Sequence, residues 1–349
     1  MGSIAGVKRK VALVGHATIN TITAAGAGTL LANDGVTTSK NQTALTSTPI
    51  GSGNIMLNDS DIGDYAPSAD FSIDAKPAGV LASLLGGFCQ SELAPVLQSG
   101  STYAHSFIPQ LDSVTGYLAL VKQEDGTNVQ ELYNGKVTNL GFTANANDFL
   151  KCSSNILFGE RRMTGQAGVV NTVATMANVA AIASNSPFVT RSVHEFLINA
   201  QGGAALSNGT DLVSVTDLQF EYETPHELVA EIRGAAGNGA PERTDGLSFV
   251  VTAIFKDTSE ASYVYTTAME NGTEFKASFT CVSGTNKVFL IFPRLKVIED
   301  PSAPLSSTGR NPVTVKFTGM QAATAPTGMG STVPYFVLHN TVSTKTWVG

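Results

Sequence analysis

One six-residue pattern, Val-Thr-(Asn/Asp)-Leu-Xaa-Phe, occurs twice in this chain. The copies are Val137-Thr138-Asn139-Leu140-Gly141-Phe142 and Val215-Thr216-Asp217-Leu218-Gln219-Phe220. Each lies in a longer stretch that alternates apolar and polar side chains, the period-2 signature of a half-buried strand. A β-unit that recurs within one chain suggests quasi-equivalent parts of a larger sheet. That favours a structural or assembly role over a pocket for chemistry.

The alternation also defines a candidate functional face. From Asp217, every second residue is polar: Asp217, Gln219, Glu221 and Glu223, interleaved with Leu218, Phe220 and Tyr222. In the first copy Asn139, Gly141, Thr143 and Asn145 oppose Leu140, Phe142 and Ala144. One reading is the ordinary solvated face of a sandwich. The other is a polar wall: strands joined side by side around a ring line a wide channel with that face. Acidic and neutral polar groups repel a polyanion, so DNA would slide past without binding. The candidate lumen-lining residues are therefore Asn139, Thr143, Asn145, Asp217, Gln219, Glu221 and Glu223.

Composition narrows the function. Charged residues make up 14% of the 349 positions, low against the roughly 25% of ordinary soluble domains. The 42% of hydrophobic residues is enough to build cores. Low charge then suggests surfaces covered by other subunits. A net charge of −7 argues against a protein that grips nucleic acid, which needs clustered Lys and Arg. Cys89, Cys152 and Cys281 are odd in number and widely spaced, so neither a disulfide framework nor a zinc site is expected, only buried thiols. No apolar stretch approaches the roughly 18 residues of a membrane span, and no signal-type segment is visible. The Asn-Xaa-Ser/Thr sequences at Asn41, Asn58, Asn208 and Asn271 are accordingly read as accidental, and the chain as cytosolic when made.

Residues 1–66 read as an N-terminal arm of polar loops with one or two strands. Pro77 to Leu85 is the single helix expected, stopped by Gly86-Gly87. Strands are expected at 103–108, 115–123, 129–133, 136–147 and 149–158. A boundary in 163–186 then separates a first β domain (67–186) from a second (187–349). The second contains strands at 193–199 and 213–224, a return strand at 227–233, a pair at 247–256 and 273–283, and further strands at 313–317 and 333–338. The segment 287–293 is apolar on both faces and is expected to be buried on both sides. The fold class is all-β dominated: β-sandwich or barrel units with a short flanking helix.

Enzyme readings find no support. His16, His105, His194, His226 and His339 show no metal-ligand spacing, and His226-Glu227 has no second histidine one turn on. His105 is read as a structural hydrogen-bonder. Gly234, Gly237 and Gly239 are not followed by Lys-Ser/Thr, and Gly26-Ala27-Gly28 lacks the third glycine of a dinucleotide loop. Asp125 lacks the converging oxygens that a hard cation needs. No catalytic, cofactor or metal site is assigned.

An ordered set of passages resembles the tail tube proteins of long-tailed, non-contractile bacteriophages. It comprises the helix at 77–85, Tyr103-Ala104-His105-Ser106-Phe107, Tyr117 to Lys122, and Tyr133-Asn134-Gly135-Lys136-Val137-Thr138-Asn139-Leu140. Pro187-Phe188, Leu247 to Asp257, Lys287 to Pro293 and Pro312 to Phe317 complete it. The resemblance spans about residues 65–320. It implies a β-sandwich core with a flanking helix, and inner sheets joined between subunits into a continuous tube. It implies a virion-tail location and, as partners, further copies of the chain, a tape measure protein, tail-end proteins and genomic DNA passing through; no membrane is involved. A chain with two tube-like units resembles the trimeric version, in which three chains mimic a ring of six; the internal match favours that case, with a six-chain ring as the alternative. A β-rich binding module, such as a capsid-decoration or adhesin-type virion protein, is the competing function. The Gly/Thr/Ser/Asn-rich loops lack the aromatic anchors such a module would use.

Overall fold

The computed structural model describes residues 10–22, 24–25, 30–31, 36–47, 59–77, 79–110, 116–179, 187–188, 195–228, 240–255, 259–301 and 312–347. His194, Asn58, Gly26-Ala27-Gly28, the Gly234–Gly239 loop and most of the expected return strand at 227–233 lie outside them. The elements run β1 (Lys10–His16), β2 (Leu30–Leu31), β3 (Val36–Ser47), β4 (Asp59–Asp74), α1 (Val80–Cys89), β5 (Val96–Ser99), β6 (Thr102–Phe107), β7 (Tyr117–Gln123), β8 (Val129–Asn145), β9 (Lys151–Leu157), β10 (Glu160–Met163) and α2 (Val173–Ala177). They continue with β11 (Glu195–Ala200), β12 (Val215–Glu223), β13 (His226–Glu227), β14 (Glu242–Arg243), β15 (Ser248–Phe255), α3 (Ser259–Glu270), β16 (Glu274–Ser283), β17 (Asn286–Val297), β18 (Val313–Gly319) and β19 (Tyr335–Asn340).

All strands except the small β13–β14 ribbon belong to one antiparallel hydrogen-bonded network. One layer runs β3-β4-β9-β8-β12-β15-β18, ending on the last residues of β17. The other layer has two parts, β2-β1-β7-β8-β10 and β11-β16-β17-β19-β6-β5. The strands β8 and β17 are long enough to serve both layers. The N-terminal half of β8 pairs with β7 and β10, its C-terminal half with β9 and β12. Aromatic side chains fill the space between layers. Phe220 of β12 lies 5.2 Å from Phe279 and 5.7 Å from Phe292, and Tyr222 lies 4.9 Å from Phe336, ring centre to ring centre.

The network contains the same topology twice. In the first pass β1 pairs with β7, β7 with β8, β8 with β9 and β10, β9 with β4, and β4 with β3. In the second pass β11 pairs with β16, β16 with β17, β17 with β18 and β19, β18 with β15, and β15 with β12. The correspondence reaches individual residues. Each pass has a register shift near the start of the seventh or sixteenth strand, between Leu118 and Leu120 and between Phe275 and Ala277. Ala12 of β1 faces Leu31, and Leu197, its counterpart in β11, bridges to Leu212. The helices α1 and α3 follow β4 and β15 in the same way.

This duplication is not the one suggested by the repeated hexapeptide. Its copies lie on β8 and β12, which occupy different positions in the two passes. They are neighbours instead: β8 and β12 pair antiparallel, with Phe142 opposite Phe220. The two stretches resemble each other because they meet the same demand, a strand with one apolar and one polar face.

Several local expectations are corrected. The helix near residue 80 does not stop at Gly86-Gly87; it continues to Cys89 and closes on Gln90 in the left-handed conformation, φ 56°. The two glycines are there for packing. A Cβ on Gly86 would lie 2.7 Å from the Cβ of Trp347, and one on Gly87 would lie 2.6 Å from Leu118. Gly86→Ala should therefore push Trp347 off the helix and lower stability by about 1–3 kcal/mol, read by thermal melts. The expected pair at 247–256 and 273–283 does not form, because α3 lies between β15 and β16 and sends them to different layers. Its Thr- and Tyr-rich sequence has weak helix propensity, which hid it. The apolar run in β17 alternates Val288, Leu290 and Phe292, buried, with Phe289 and Ile291, half-buried, so only one face is fully covered. The described residues of the 1–66 segment carry β1, β2, β3 and the first half of β4, rather than the one or two strands read from its polar composition.

Candidate functional site

The pairing of β8 with β12 brings all seven candidate residues onto one sheet face. Asp217 sits opposite Asn145, Gln219 opposite Thr143, Glu221 opposite Gly141 and Glu223 opposite Asn139. Leu140, Phe142, Ala144, Leu218, Phe220 and Tyr222 point the other way and are buried. Gln219, Glu221, Glu223 and Asn139 are exposed, while Thr143, Asn145 and Asp217 are half-buried.

Neighbouring strands extend this face with residues that the sequence reading missed. Asn139 Oδ1 accepts the Asn155 backbone N–H at 2.7 Å, and Asn155 Nδ2 donates to Asp70 Oδ1 at 2.6 Å. The alternation of Asp70, Ser72 and Asp74 around Phe71 and Ile73 was the available signal for β4. On the far side Thr314, Lys316 and Thr318 continue the face along β18. Lys316 donates to Glu299 Oε1 at 2.9 Å, and Lys151 lies 3.2 Å from Asp148. These two cations are locally paired rather than offered to an anion. Gly141 leaves a notch in the wall, where an added Cβ would meet Ser153 Oγ. The notch has a volume of about 390 Å³; it carries Asp70, Glu221 and Glu223, and among the described residues no Lys or Arg lines it.

Several buried polar groups away from this face have structural partners. His105 on β6 is held by Glu92 through Nδ1 at 2.6 Å and by the Val342 carbonyl through Nε2 at 2.8 Å. Asp125 accepts hydrogen bonds from Thr127 and Asn128 in the β7–β8 turn, which hold its carboxyl well below the usual range. Lys136 is buried at the start of the β8–β12 joint and donates to the Gly116 carbonyl at 2.5 Å, with its ammonium 4.0 Å from the Tyr117 ring centre. Burial, with repulsion from Arg243, lowers its pKa to about 7. The three cysteines are buried and unpaired, and burial raises the Cys152 and Cys281 thiols to about 12, far from a reactive thiolate.

A two-layer β-network that carries one continuous polar face has the character of a structural protein. The phage tail tube protein family matches this chain over residues 6–321, so the chain belongs to the phage tail tube proteins. It is a self-assembling structural subunit of the virion tail and not an enzyme. No curated protein matches it.

Proposed function

We propose that this subunit forms stacked rings whose bore is faced by the β8–β12 wall, and that genomic DNA passes through the bore without specific binding. The observation that carries the reading is the shared face of Asn139, Thr143, Asn145, Asp217, Gln219, Glu221 and Glu223. That face is polar and acidic, and its nearby lysines are paired with carboxylates. A polyanion is repelled by such a surface and finds no cation cluster to hold it.

Three chains per ring is the stoichiometry we favour. Two topologically equivalent passes per chain, β1–β10 and β11–β19, give six units from three subunits. The break between them falls between Met163 and Glu195, and each pass is one tube-like unit. A tape measure protein occupies the bore before DNA, and tail-end proteins cap the stack. Negative-stain microscopy of concentrated protein should reveal hollow filaments or ring stacks. Compact particles under every condition would count against the tube. Native mass spectrometry of isolated rings should give three chains; six would overturn the two-unit reading.

Replacing Asp217, Glu221 and Glu223 together with Lys should leave assembly intact, since all three side chains point away from the core. A cationic bore attracts phosphates, so DNA ejection should slow at least several-fold at low salt and recover as salt screens it. Ejection at the unmodified rate from virions carrying the triple variant would refute the lumenal placement.

A further inference from the structure

We infer that the joint inside each chain, β12 against β8, is copied between chains by β3 of one subunit against residues 298–301 of the next. The inference rests on the ring reading above and adds to it the strands, their direction and their register.

The equivalence of the two passes identifies the parts. Gly135 faces Leu118 as Leu295 faces Phe275, and Leu132 faces Leu120 as Phe292 faces Ala277. β8 therefore corresponds to β17, with Lys136 matching Lys296 and Val137 matching Val297. These residues meet β9 and β18 alike: Lys136 faces Leu157 and Lys296 faces Thr318. Leu157 faces Ser68, which faces Ser39; Thr318 faces Val250, which faces Glu221. So β3 corresponds to β12, with Ser39 in the place of Glu221. Alternation agrees, since Thr37 and Ser39 are exposed as Gln219 and Glu221 are.

The edges are unequal in the way a shared joint requires. β12 has two neighbours, β15 and β8, whereas β3 has only β4 among the described residues. β9 is met by β8 from Lys136 to Thr143, whereas among the described residues β17 meets β18 only at Leu295, Lys296 and Val297. The two incomplete edges lie at opposite ends of the same layer, which is the arrangement of a head-to-tail contact that rotation can close. Ile298, the counterpart of Thr138, is 53% exposed at the start of this edge. Unpaired strand edges of this kind are templates for pairing with another chain.

Hydrogen-bond phase supports the same register. The ends of the internal joint are marked by Thr224 N–H to the Thr138 carbonyl at 2.8 Å and Ala146 N–H to the Thr216 carbonyl at 3.0 Å. Even-numbered residues of β8 thus bond to β12, and Gly141 directs its N–H away from it. Counted on from Val297, where β17 ends, Pro301 takes the place of Gly141; Ile298, Glu299 and Asp300 are all exposed, with a bend at Glu299, and Pro301 is buried. Its missing N–H would face β18, whose ladder with β17 already ends at Val297, rather than the neighbouring β3, so it does not interrupt the joint. In the inferred contact Ser39 lies directly opposite Pro301 as a non-bonded pair, and Asn41 lies opposite Glu299.

Cysteine pairing tests the register. Non-bonded cross-strand neighbours have Cβ atoms about 4.5–5.5 Å apart, close to disulfide reach. Single variants N41C and E299C, mixed and assembled, should give disulfide dimers on mild oxidation, since Glu299 is exposed; the double variant should give closed trimers. S39C with P301C, one pair along, should do the same at a proline that is buried in the free subunit. T38C with P301C is displaced by one residue, which places the thiols on opposite faces, and should cross-link at least tenfold less. Filaments that form normally but cross-link in neither expected pair, or better in the displaced pair, would overturn the joint while leaving the tube intact. Covalent rings of six would overturn the equivalence from which it is drawn. Failure to assemble under any condition would overturn the tube reading itself.

Discussion

Glu92→Ala should destabilise the chain by about 3–5 kcal/mol, the cost of breaking a buried ion pair from one side. Glu92 is 4% exposed and gathers the end of the chain onto the first unit. Its Oε2 accepts from the backbone N–H groups of Thr346 and Trp347 at 2.7 and 2.6 Å and from Thr346 Oγ1 at 3.0 Å, while Oε1 faces His105. Removing the carboxylate strands four donors at once. Trp347 is the one tryptophan of the sequence and packs on Gly86 of α1. Its fluorescence should shift to the red in Glu92→Ala before the global transition; an unshifted spectrum with unchanged melting would refute the clasp. The pH dependence has a definite sign. Burial works to lower the His105 pKa, but hydrogen bonds to Glu92 and to the Val342 carbonyl, with the attraction of Glu92, leave it raised above 6.5. A raised histidine stabilises fully below its unfolded pKa and loses that contribution as pH rises through its folded value. Glu92→Gln should remove this slope on the alkaline side of 6.5. His226 works in the opposite direction: burial lowers it to about 4, so its contribution is lost as pH falls from 6.5 through 4.

The clasp was invisible in the sequence, and the reason is physical. Glu92, His105 and Trp347 are brought together by long-range packing, and nothing in their spacing records it. His105 was legible only as a histidine in a strand. The polar wall was legible because alternation is a local property: reading every second residue from Asp217 and from Asn139 places each side chain on its face. What alternation does not record is which strands become neighbours. The hexapeptide match picked out two strands with one apolar and one polar face, yet they are adjacent partners rather than equivalents. The duplication lies in the order of pairings, and few equivalent residues keep their identity, Lys136 and Lys296 being one case. The Gly86-Gly87 pair misled for a related reason. Glycine marks a helix end when the backbone needs a positive φ, but here the missing side chains make room for Trp347 and Leu118.

Phe220→Ala should cost about 3–5 kcal/mol, whereas Thr38→Ala at the equivalent position of β3 should cost under about 0.5 kcal/mol in the isolated subunit. Phe220 is fully buried between the layers, against Phe279 and Phe292. Its truncation removes a whole ring from a packed aromatic cluster. Thr38 is only half-buried, and Lys122 Nζ approaches its hydroxyl at 3.4 Å. β3 is thus the weakly anchored counterpart of β12: Val36 and Thr38 stand where Leu218 and Phe220 stand. That difference is what an assembling sheet requires. The internal joint must survive in the free subunit and so carries its own aromatic core. The inferred external one would form only on assembly, held chiefly by backbone pairing with the neighbour. Hydrogen exchange tests this directly. Amides of β12 should be protected before and after assembly, and amides of β3 should gain at least tenfold protection on tube formation. Equal protection of both strands in the free subunit would mean that β3 is held by its own chain and needs no neighbour.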